Sequence, residues 1–245
     1  MVHFVGAGPG AVDLITVRGA RLLKEADTII YAGSLVNPDL LGYAKDGCKI
    51  YDSAVMNLDQ IMDVIRENDG ELVRLHTGDP SLYGAIKEQM DILDREGIPY
   101  DVCPGVSSMS GAAASLKTEY TLPGVSQSVI ITRTSGRTAL PPGQELFRLA
   151  EHHSTMVIFL SAAMADKVSG ELIKGGYLRD TPAAVVYKAT WPEEKIIRTT
   201  LGGLAQAMKD EGIDRTALII VGDVLDCEYE LSKLYDKDFT TGYRS

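Results

Sequence analysis

Three glycine-bearing loops are the parts of this sequence whose residues could bind a small ligand. They read GAGPG at Gly6–Gly10, HTGDPSLYG at His76–Gly84 and PGVSS at Pro104–Ser108. Each follows an apolar run typical of a buried strand and leads into a pattern typical of a helix. Ligands of open α/β sheets bind beyond the carboxyl ends of the strands, so these loops could share one site. Taken singly, each could equally be a tight turn or a capped helix start.

The first loop satisfies the GxGxxG/A pattern of dinucleotide sites through Gly6, Gly8 and Ala11. Two features weigh against that function. Pro9 lacks the amide N–H that a phosphate cradle would use. The next strand, which should end in an acidic residue, ends in Tyr31-Ala32-Gly33. A nucleotide-binding turn and a purely structural turn both stay open on this pattern.

The second loop carries a carboxylate where a ligand could reach it. Asp79 could accept hydrogen bonds from a ligand amine or hydroxyl, or it could cap the helix that we expect at Ser81–Glu96. Gly78 permits close approach of the backbone, and Pro80 fixes the turn. His76 adjoins the loop and could help to position it without contacting the ligand.

The alternation of strand and helix in the first half predicts a parallel, doubly wound sheet. The pattern breaks at the polar stretch Lys117–Gln127. Beyond it, the strand-like runs Ala183–Ala189 and Lys195–Thr200 lie too close together to be joined by a helix, so they should pair antiparallel in a mixed sheet. We therefore expect an α/β protein of two domains. The expected parts are an amino-terminal domain at 1–117, a linker at 118–127, a carboxyl-terminal domain at 128–225 and an arm at 226–245.

Composition limits the classes of partner. Of 245 residues, 24 are basic and 34 acidic, and a net charge of −10 disfavours nucleic acid. No apolar run approaches the roughly 18 residues that span a bilayer, and the first residues do not resemble a signal peptide, so we expect no membrane and a cytoplasmic protein. The three cysteines are odd in number and far apart, which favours reduced thiols, and no metal site is expected.

In combination and in order, the three loops resemble those of the tetrapyrrole methylases, which use S-adenosylmethionine and comprise two α/β domains with the cofactor between them. The resemblance is carried by GAGPGAVDLITVRG at Gly6–Gly19, TGDPSLYG at Thr77–Gly84 and PGVSS at Pro104–Ser108, and it covers nearly the whole chain. It implies that the first loop belongs to a cofactor and substrate cleft and not to a nucleotide site.

Within the family, the sequence is most similar to the precorrin-4 C-11 methyltransferases of the cobalt-bearing or metal-free pathway. The segments that carry this similarity are YAGSLV at Tyr31–Val36, HTGDPSLYGAIKEQ at His76–Gln89, TRTSGRTALPP at Thr132–Pro142, VVYKATWPEEKIIRTT at Val185–Thr200 and SKLYDKDFTTG at Ser232–Gly242. Uroporphyrinogen methylases carry an aspartate where this chain has Ala32. The resemblance thus implies C-methylation of a corrin precursor in cobalamin biosynthesis by a homodimer. A methylase of another ring position, a nucleotide-binding oxidoreductase and a non-catalytic binding module are the alternatives.

Site residues follow from the resemblance by matching positions. The implied cofactor contacts are Pro9, Thr77, Gly78, Asp79, Leu82, Ser107, Ser108, Leu160, Ala189 and Thr216. The implied substrate contacts are Tyr31, Ser34, Tyr83, Arg133 and Arg137, with Arg18, Lys188 and Lys195 as further cations for the carboxylates of a tetrapyrrole. Because a neutral thioether leaves in methyl transfer, we expect no catalytic acid–base dyad and assign no catalytic residue.

Overall fold

The computed structural model describes residues 1–136, 138–232 and 239–240. Arg137 and most of the expected arm therefore lie outside the described residues. The chain divides into two units: Met1–Ala112 together with Lys188–Glu194, and Ala113–Tyr187 together with the chain from Lys195 onward. The domain boundaries expected at residues 117, 127 and 225 stay a prediction.

The first unit is built on a parallel sheet of five strands with the order β3-β2-β4-β1-β5. Its strands are β1 (Val2–Gly6), β2 (Thr28–Tyr31), β3 (Lys49–Asp52), β4 (Leu72–His76) and β5 (Tyr100–Cys103). Its helices are α1 (Val17–Glu25), α2 (Leu58–Arg66) and α3 (Lys87–Glu96), followed by α4 (Ser108–Leu116), whose first residues belong to this unit.

Helices cover both faces of this sheet. Leu22 and Leu23 of α1 pack on one face, in a cluster with Val5, Ile29 and Val73. The apolar side chains of α2 and α3 pack on the other face, in a cluster that consists of Val2, Phe4, Ile30, Ile61, Met62, Ile65, Leu72 and Leu93. Two covered faces explain why the central strands carry apolar residues on both sides. The predicted doubly wound parallel sheet is confirmed.

Side-chain caps fix two of the helix starts. The Thr16 hydroxyl accepts a hydrogen bond from the Gly19 amide at 3.0 Å before α1. Asn57 and Gln60 form a reciprocal capping box at the start of α2, with both bonds at 2.9 Å. Caps of this kind satisfy amide groups that have no partner inside the helix.

The second unit contains a mixed sheet with the order β6-β7-β10-β8-β9. Its strands are β6 (Val129–Arg133), β7 (Thr155–Phe159), β8 (Pro182–Tyr187), β9 (Lys195–Thr200) and β10 (Ala217–Val221), and its helices are α5 (Leu146–Ala150), α6 (Ala165–Lys174) and α7 (Leu204–Asp210). Strands β6 and β7 are parallel, while the other neighbours are antiparallel. The predicted mixed sheet and the predicted antiparallel pairing of β8 with β9 are both confirmed.

The helix expected at Ser81–Glu96 is shorter than predicted, because α3 begins only at Lys87. The backbone N–H and the hydroxyl of Ser81 both donate to Asp79, which closes a turn in place of a helix. Tyr83 and Ala85 then adopt positive φ angles of 58° and 50°, outside the right-handed helical region. The residues between Asp79 and Lys87 are thus a loop with a defined conformation.

In the described ranges, no helix combines the length and the apolar character needed to cross a membrane.

Candidate functional site

The three glycine-bearing loops meet at one edge of the first sheet. Strands β4, β1 and β5 are neighbours, so their carboxyl ends lie side by side. The Gly8 amide donates to the Gly78 carbonyl at 3.2 Å, and the Gly78 amide donates to the Gly8 carbonyl at 2.9 Å. The convergence that the sequence predicted is therefore present in the structure.

Gly105 of the third loop permits the closest of these approaches. A Cβ atom on Gly105 would lie 2.2 Å from the Gly78 carbonyl oxygen and 2.7 Å from the Gly6 Cα. Both neighbours are backbone atoms, which cannot move aside as a flexible side chain could. The loops pack against each other only because this position carries no side chain.

Asp79 links the second loop to the third. One carboxylate oxygen accepts from the Ser81 amide at 2.9 Å, and the other accepts from the Gly105 amide at 2.8 Å. Burial raises the pKa of this carboxyl, but hydrogen bonds from Ser81 and Gly105 together outweigh burial and leave the pKa below its ordinary value. Asp79 is only partly buried, so it brings a stable negative charge to the surface of the joined loops.

Trp191 covers the first loop. Its segment, Lys188–Glu194, belongs to the first unit. The indole Nε1 donates to the Pro9 carbonyl at 3.0 Å, and the Thr190 hydroxyl accepts from the Ala11 amide at 2.9 Å. A Cβ atom on Gly10 would lie 2.0 Å from Cδ1 of the indole. Protein groups thus occupy positions of this loop that a phosphate cradle would leave open, which disfavours the nucleotide-binding alternative.

In the second unit, Arg133, Leu160 and Thr216 come together at one sheet edge. Arg133 ends β6, Leu160 follows β7, and Thr216 precedes β10. Arg133 pairs with Phe159 in the parallel β6–β7 register, and the antiparallel register of β7 with β10 places the end of β7 beside the start of β10. Leu160 is 64% exposed, directly after the buried strand β7.

Several residues at the predicted positions have strained backbones. Leu160 and Thr216 both have φ angles of 52°, and Lys188 and Thr190, on either side of the buried Ala189, have φ angles of 46° and 69°. Such conformations are unfavourable for residues other than glycine and are found preferentially at functional sites. This observation supports the choice of these positions without showing what they contact.

The remaining predicted cofactor contacts differ in their exposure to solvent. Thr77, Leu82, Ser107 and Ser108 are all partly exposed on the joined loops, and the Ser107 hydroxyl accepts from the Met109 amide at 3.4 Å. Pro9 is buried.

Most of the cations named from the sequence already have partners. The Arg133 guanidinium donates to the carbonyl oxygens of Thr134, Thr138 and Ala139 and so holds its own loop. Lys188 pairs with Glu193, and Lys195 pairs with Glu211. Arg18 is exposed on α1.

A pocket of about 330 Å³ opens in the first unit beside the end of β4. Its walls come from the start of α2, from the loop between Leu82 and Ala85, and from the start of α3. Tyr83 lines the pocket, whereas Tyr31 packs against the cluster beneath α1 and Ser34 is exposed. Of the predicted substrate contacts Tyr31, Ser34 and Tyr83, Tyr83 lines this pocket.

Three buried polar side chains line the pocket, Arg74, His76 and Gln89, and the sequence analysis missed Arg74. Arg74 is 5% exposed and donates from Nε to the Gln89 side chain at 3.2 Å and from Nη1 to the Ile30 carbonyl at 3.1 Å. Burial lowers the pKa of its guanidinium to about 10. A charged residue inside the apolar run LVRLH was the available signal, since buried arginines are rare unless paired.

His76, the second polar group, is 4% exposed, and its Nε2 has no hydrogen-bond partner in the structure as described. Burial, reinforced by the charge of Arg74, lowers the pKa of His76 to about 3. The imidazole is therefore neutral in the folded protein at neutral pH. In the unfolded chain it would titrate near its ordinary pKa of 6.5.

This difference predicts a pH-dependent stability. The unfolded chain binds a proton at His76 below its ordinary pKa, but the folded protein does not, so the free energy of unfolding should fall with falling pH. We expect this histidine to remove about 2 kcal/mol between about pH 7 and about pH 5. The His76→Phe variant should lack this share of the slope in urea unfolding at several pH values. The same slope in both proteins would contradict the assignment.

The fold and the joined loops define a class of protein. The family described as Tetrapyrrole (Corrin/Porphyrin) Methylases matches residues 1–205, and the chain belongs to this family. Among curated relatives, it is 58% identical to the cobalt-precorrin-4 C(11)-methyltransferase of Methanocaldococcus jannaschii over 99% of this chain and 95% of the relative. It is 47% identical to the enzyme of the same name from Priestia megaterium over 99% and 97% of the two chains.

Solved structures of methyltransferases are also similar to this chain. The structure of a cobalt precorrin-4 methyltransferase, a cobalamin biosynthetic enzyme, matches with a TM-score of 0.88 and 46% identity, over 92% of this chain and 96% of that one. A uroporphyrin-III C-methyltransferase from Thermus thermophilus, complexed with S-adenosylhomocysteine, matches with a TM-score of 0.75 and 29% identity, over 92% and 93% of the two chains.

Proposed function

We propose that this chain transfers a methyl group from S-adenosylmethionine to C-11 of a precorrin-4-type tetrapyrrole in cobalamin biosynthesis. The observation that carries the proposal is the 58% identity to a cobalt-precorrin-4 C(11)-methyltransferase, which extends over 99% of the chain. Because it spans both units, the likeness is not confined to a shared cofactor-binding motif. Ala32, where uroporphyrinogen methylases carry an aspartate, agrees with this choice of acceptor.

The joined loops fit a cationic methyl donor. When bound, S-adenosylmethionine supplies an electrophilic methyl group on a positively charged sulfonium. Asp79 keeps its negative charge at neutral pH, and its hydrogen bonds to Ser81 and Gly105 fix its position. We infer that Gly78, Asp79 and Leu82 hold the methionine end of the donor and that Thr77, Ser107 and Ser108 border it. The assignments of Pro9, Leu160, Ala189 and Thr216 stay predictions.

The chain's contribution to catalysis is mainly positioning. Alignment of a nucleophile with an electrophile can contribute up to roughly 7 to 11 kcal/mol in well-ordered systems. Rigid loops serve this purpose, and the backbone pairing of Gly8 with Gly78 together with the Asp79 link provides such rigidity. A neutral thioether leaves, so the protein needs no acid to protonate a leaving group.

Cobalt, if present, would arrive within the acceptor. Among the described residues, no group of three or more His, Cys, Asp or Glu side chains is arranged to hold a metal ion. We further infer a cytoplasmic homodimer without nucleic-acid partners, which is the arrangement that the family resemblance and the net charge of −10 support.

A methyl-transfer assay tests the proposed function. Purified protein, methyl-labelled S-adenosylmethionine and either precorrin-4 or its cobalt complex should yield a product with one additional methyl group, which NMR should locate at C-11. Methylation of another ring carbon would contradict the acceptor position. Calorimetry would separate the remaining alternatives: binding of NAD(P) without binding of S-adenosylhomocysteine would favour an oxidoreductase, and donor binding without turnover would favour a binding module.

The role of Arg133 can be tested in the same assay. Its fork-shaped guanidinium suits a carboxylate, and it also donates to the carbonyl oxygens of Thr134, Thr138 and Ala139. We expect Arg133→Ala to raise the KM for the tetrapyrrole several-fold with little change in the Kd for S-adenosylhomocysteine. Arg148→Ala, which removes an exposed arginine that pairs with Glu145, is the matched control. An unchanged KM and kcat in Arg133→Ala would remove this residue from the site.

A further inference from the structure

Arg74 is a buried cation without a counter-ion. Over the described ranges it forms no ion pair with a carboxylate; its guanidinium donates to the neutral side chain of Gln89 and to the Ile30 carbonyl. Burying an unpaired charge is costly, and proteins normally pair such a charge or keep it out of the interior. An anion bound beside Arg74 would pair with this charge and offset the cost of burying it.

His76 contributes a second buried polar group to the wall of the same pocket. Arg74 and His76 are two residues apart on β4, so both side chains point to the same face of the sheet. Both line the pocket beside the strand end, and the Nε2 atom of His76 is buried without a partner among the residues that the structure describes. A neutral imidazole can donate one N–H, which suits an anionic oxygen.

The pocket has the size and the opening for a small acidic group. Its volume of about 330 Å³ exceeds that of a short carboxylate side chain, and Tyr83 and Ala85 at its wall are exposed. Gln89, itself 4% exposed, holds Arg74 from one side and donates to the Ala85 carbonyl at 3.2 Å, which ties the guanidinium to the pocket wall. Glu88 also borders the pocket, but it is exposed, so water screens its charge.

We propose that Arg74 and His76 form a seat for one carboxylate arm of the tetrapyrrole acceptor, with Arg74 supplying the charge and the imidazole Nε2 donating a hydrogen bond. This inference rests on the proposed function and deepens it, because it names residues that recognise the acceptor. It gives the methylase a cation of its own for an acidic substrate inside a protein of net charge −10. The methionine moiety of the donor also carries a carboxylate, which has the same chemistry as the carboxylate arms of the acceptor. The experiment therefore distinguishes an acceptor carboxylate from the donor carboxylate in this seat.

The test compares wild type with His76→Phe, which keeps an aromatic ring beside Phe4 but removes Nε2. His152→Phe, at an exposed position, is the matched control. We expect His76→Phe to raise the KM for cobalt-precorrin-4 at least about tenfold, with the Kd for S-adenosylhomocysteine within about twofold of wild type. An unchanged KM in the folded variant would overturn the proposal. A loss of S-adenosylhomocysteine affinity with an unchanged KM would assign the seat to the donor and also overturn it.

A second measurement needs no variant. In ¹⁵N-histidine-labelled wild type, the Nε2 resonance of His76 should shift when cobalt-precorrin-4 is added in the presence of S-adenosylhomocysteine, and the fully esterified tetrapyrrole should produce no such shift. The absence of a shift with the free acid, under conditions where absorbance shows it to be bound, would overturn the proposal. Failure of the proposed function is distinguishable, because then wild type itself would not methylate the acceptor.

Discussion

Replacing Gly105 with alanine is expected to abolish measurable binding of S-adenosylhomocysteine. The new Cβ atom would lie 2.2 Å from the Gly78 carbonyl oxygen and would force the second and third loops apart. Overpacking against side chains typically costs about 1 to 3 kcal/mol, and a backbone neighbour yields less readily than a side chain. We expect at least a hundredfold loss of affinity, measured by calorimetry, together with a lower Tm.

The control for this variant is Gly42→Ala. Gly42 lies in the same unit, and an added Cβ atom there would meet nothing within 4 Å. Its affinity and Tm should stay close to those of wild type. Wild-type affinity in a folded Gly105→Ala protein would show that the contact of the three loops does not form the donor site.

Asp79→Ala is expected to have the second largest effect on donor binding. The change removes the acceptor of the partly buried Gly105 amide and of the exposed Ser81 amide, and a donor left without a partner away from water costs about 1 to 3 kcal/mol. It also removes the negative charge that faces the cationic donor. We expect a loss of about 2 to 4 kcal/mol in donor binding, which is about 30-fold to 1000-fold in Kd.

Asp79→Asn separates the contribution of the hydrogen bonds from that of the negative charge. It retains one oxygen acceptor but carries no charge, so its loss of affinity should lie between wild type and Asp79→Ala. Asp91→Ala is the matched control, because the Asp91 carboxylate is 46% exposed and pairs with Lys87 on the surface of α3. If Asp79→Ala bound S-adenosylhomocysteine as wild type does, neither the link nor the charge could matter for the donor.

Where one regular element follows another, the sequence was sufficient to predict the fold. The strand Lys195–Thr200 has the limits that the sequence pattern predicts, because continuous or alternating apolar residues mark strands directly. The convergence of the three loops also followed, since the carboxyl ends of neighbouring parallel strands must meet.

Two features of the site could not be predicted in this way. The early start assigned to α3 failed because Asp79 and Ser81 bond to each other, a local choice that competes with the helix. The role of Gly10 depends on Trp191, 181 positions further along the chain, so no local pattern contains it. Arg74 was overlooked because a strand pattern is judged by its apolar neighbours, although that lone charge was the useful signal.

Trp191 is the only tryptophan in the chain, and its indole lies on the Pro9–Gly10 turn with the Lys188 ammonium 4.9 Å from the ring centre. With excitation selective for tryptophan over the 11 tyrosines, the protein's fluorescence therefore arises from a single point on the glycine turn. Any ligand that displaces the lysine or tightens the turn should change the emission of that indole. The molecule thus carries its own optical reporter, by which occupancy of this region can be followed without a label.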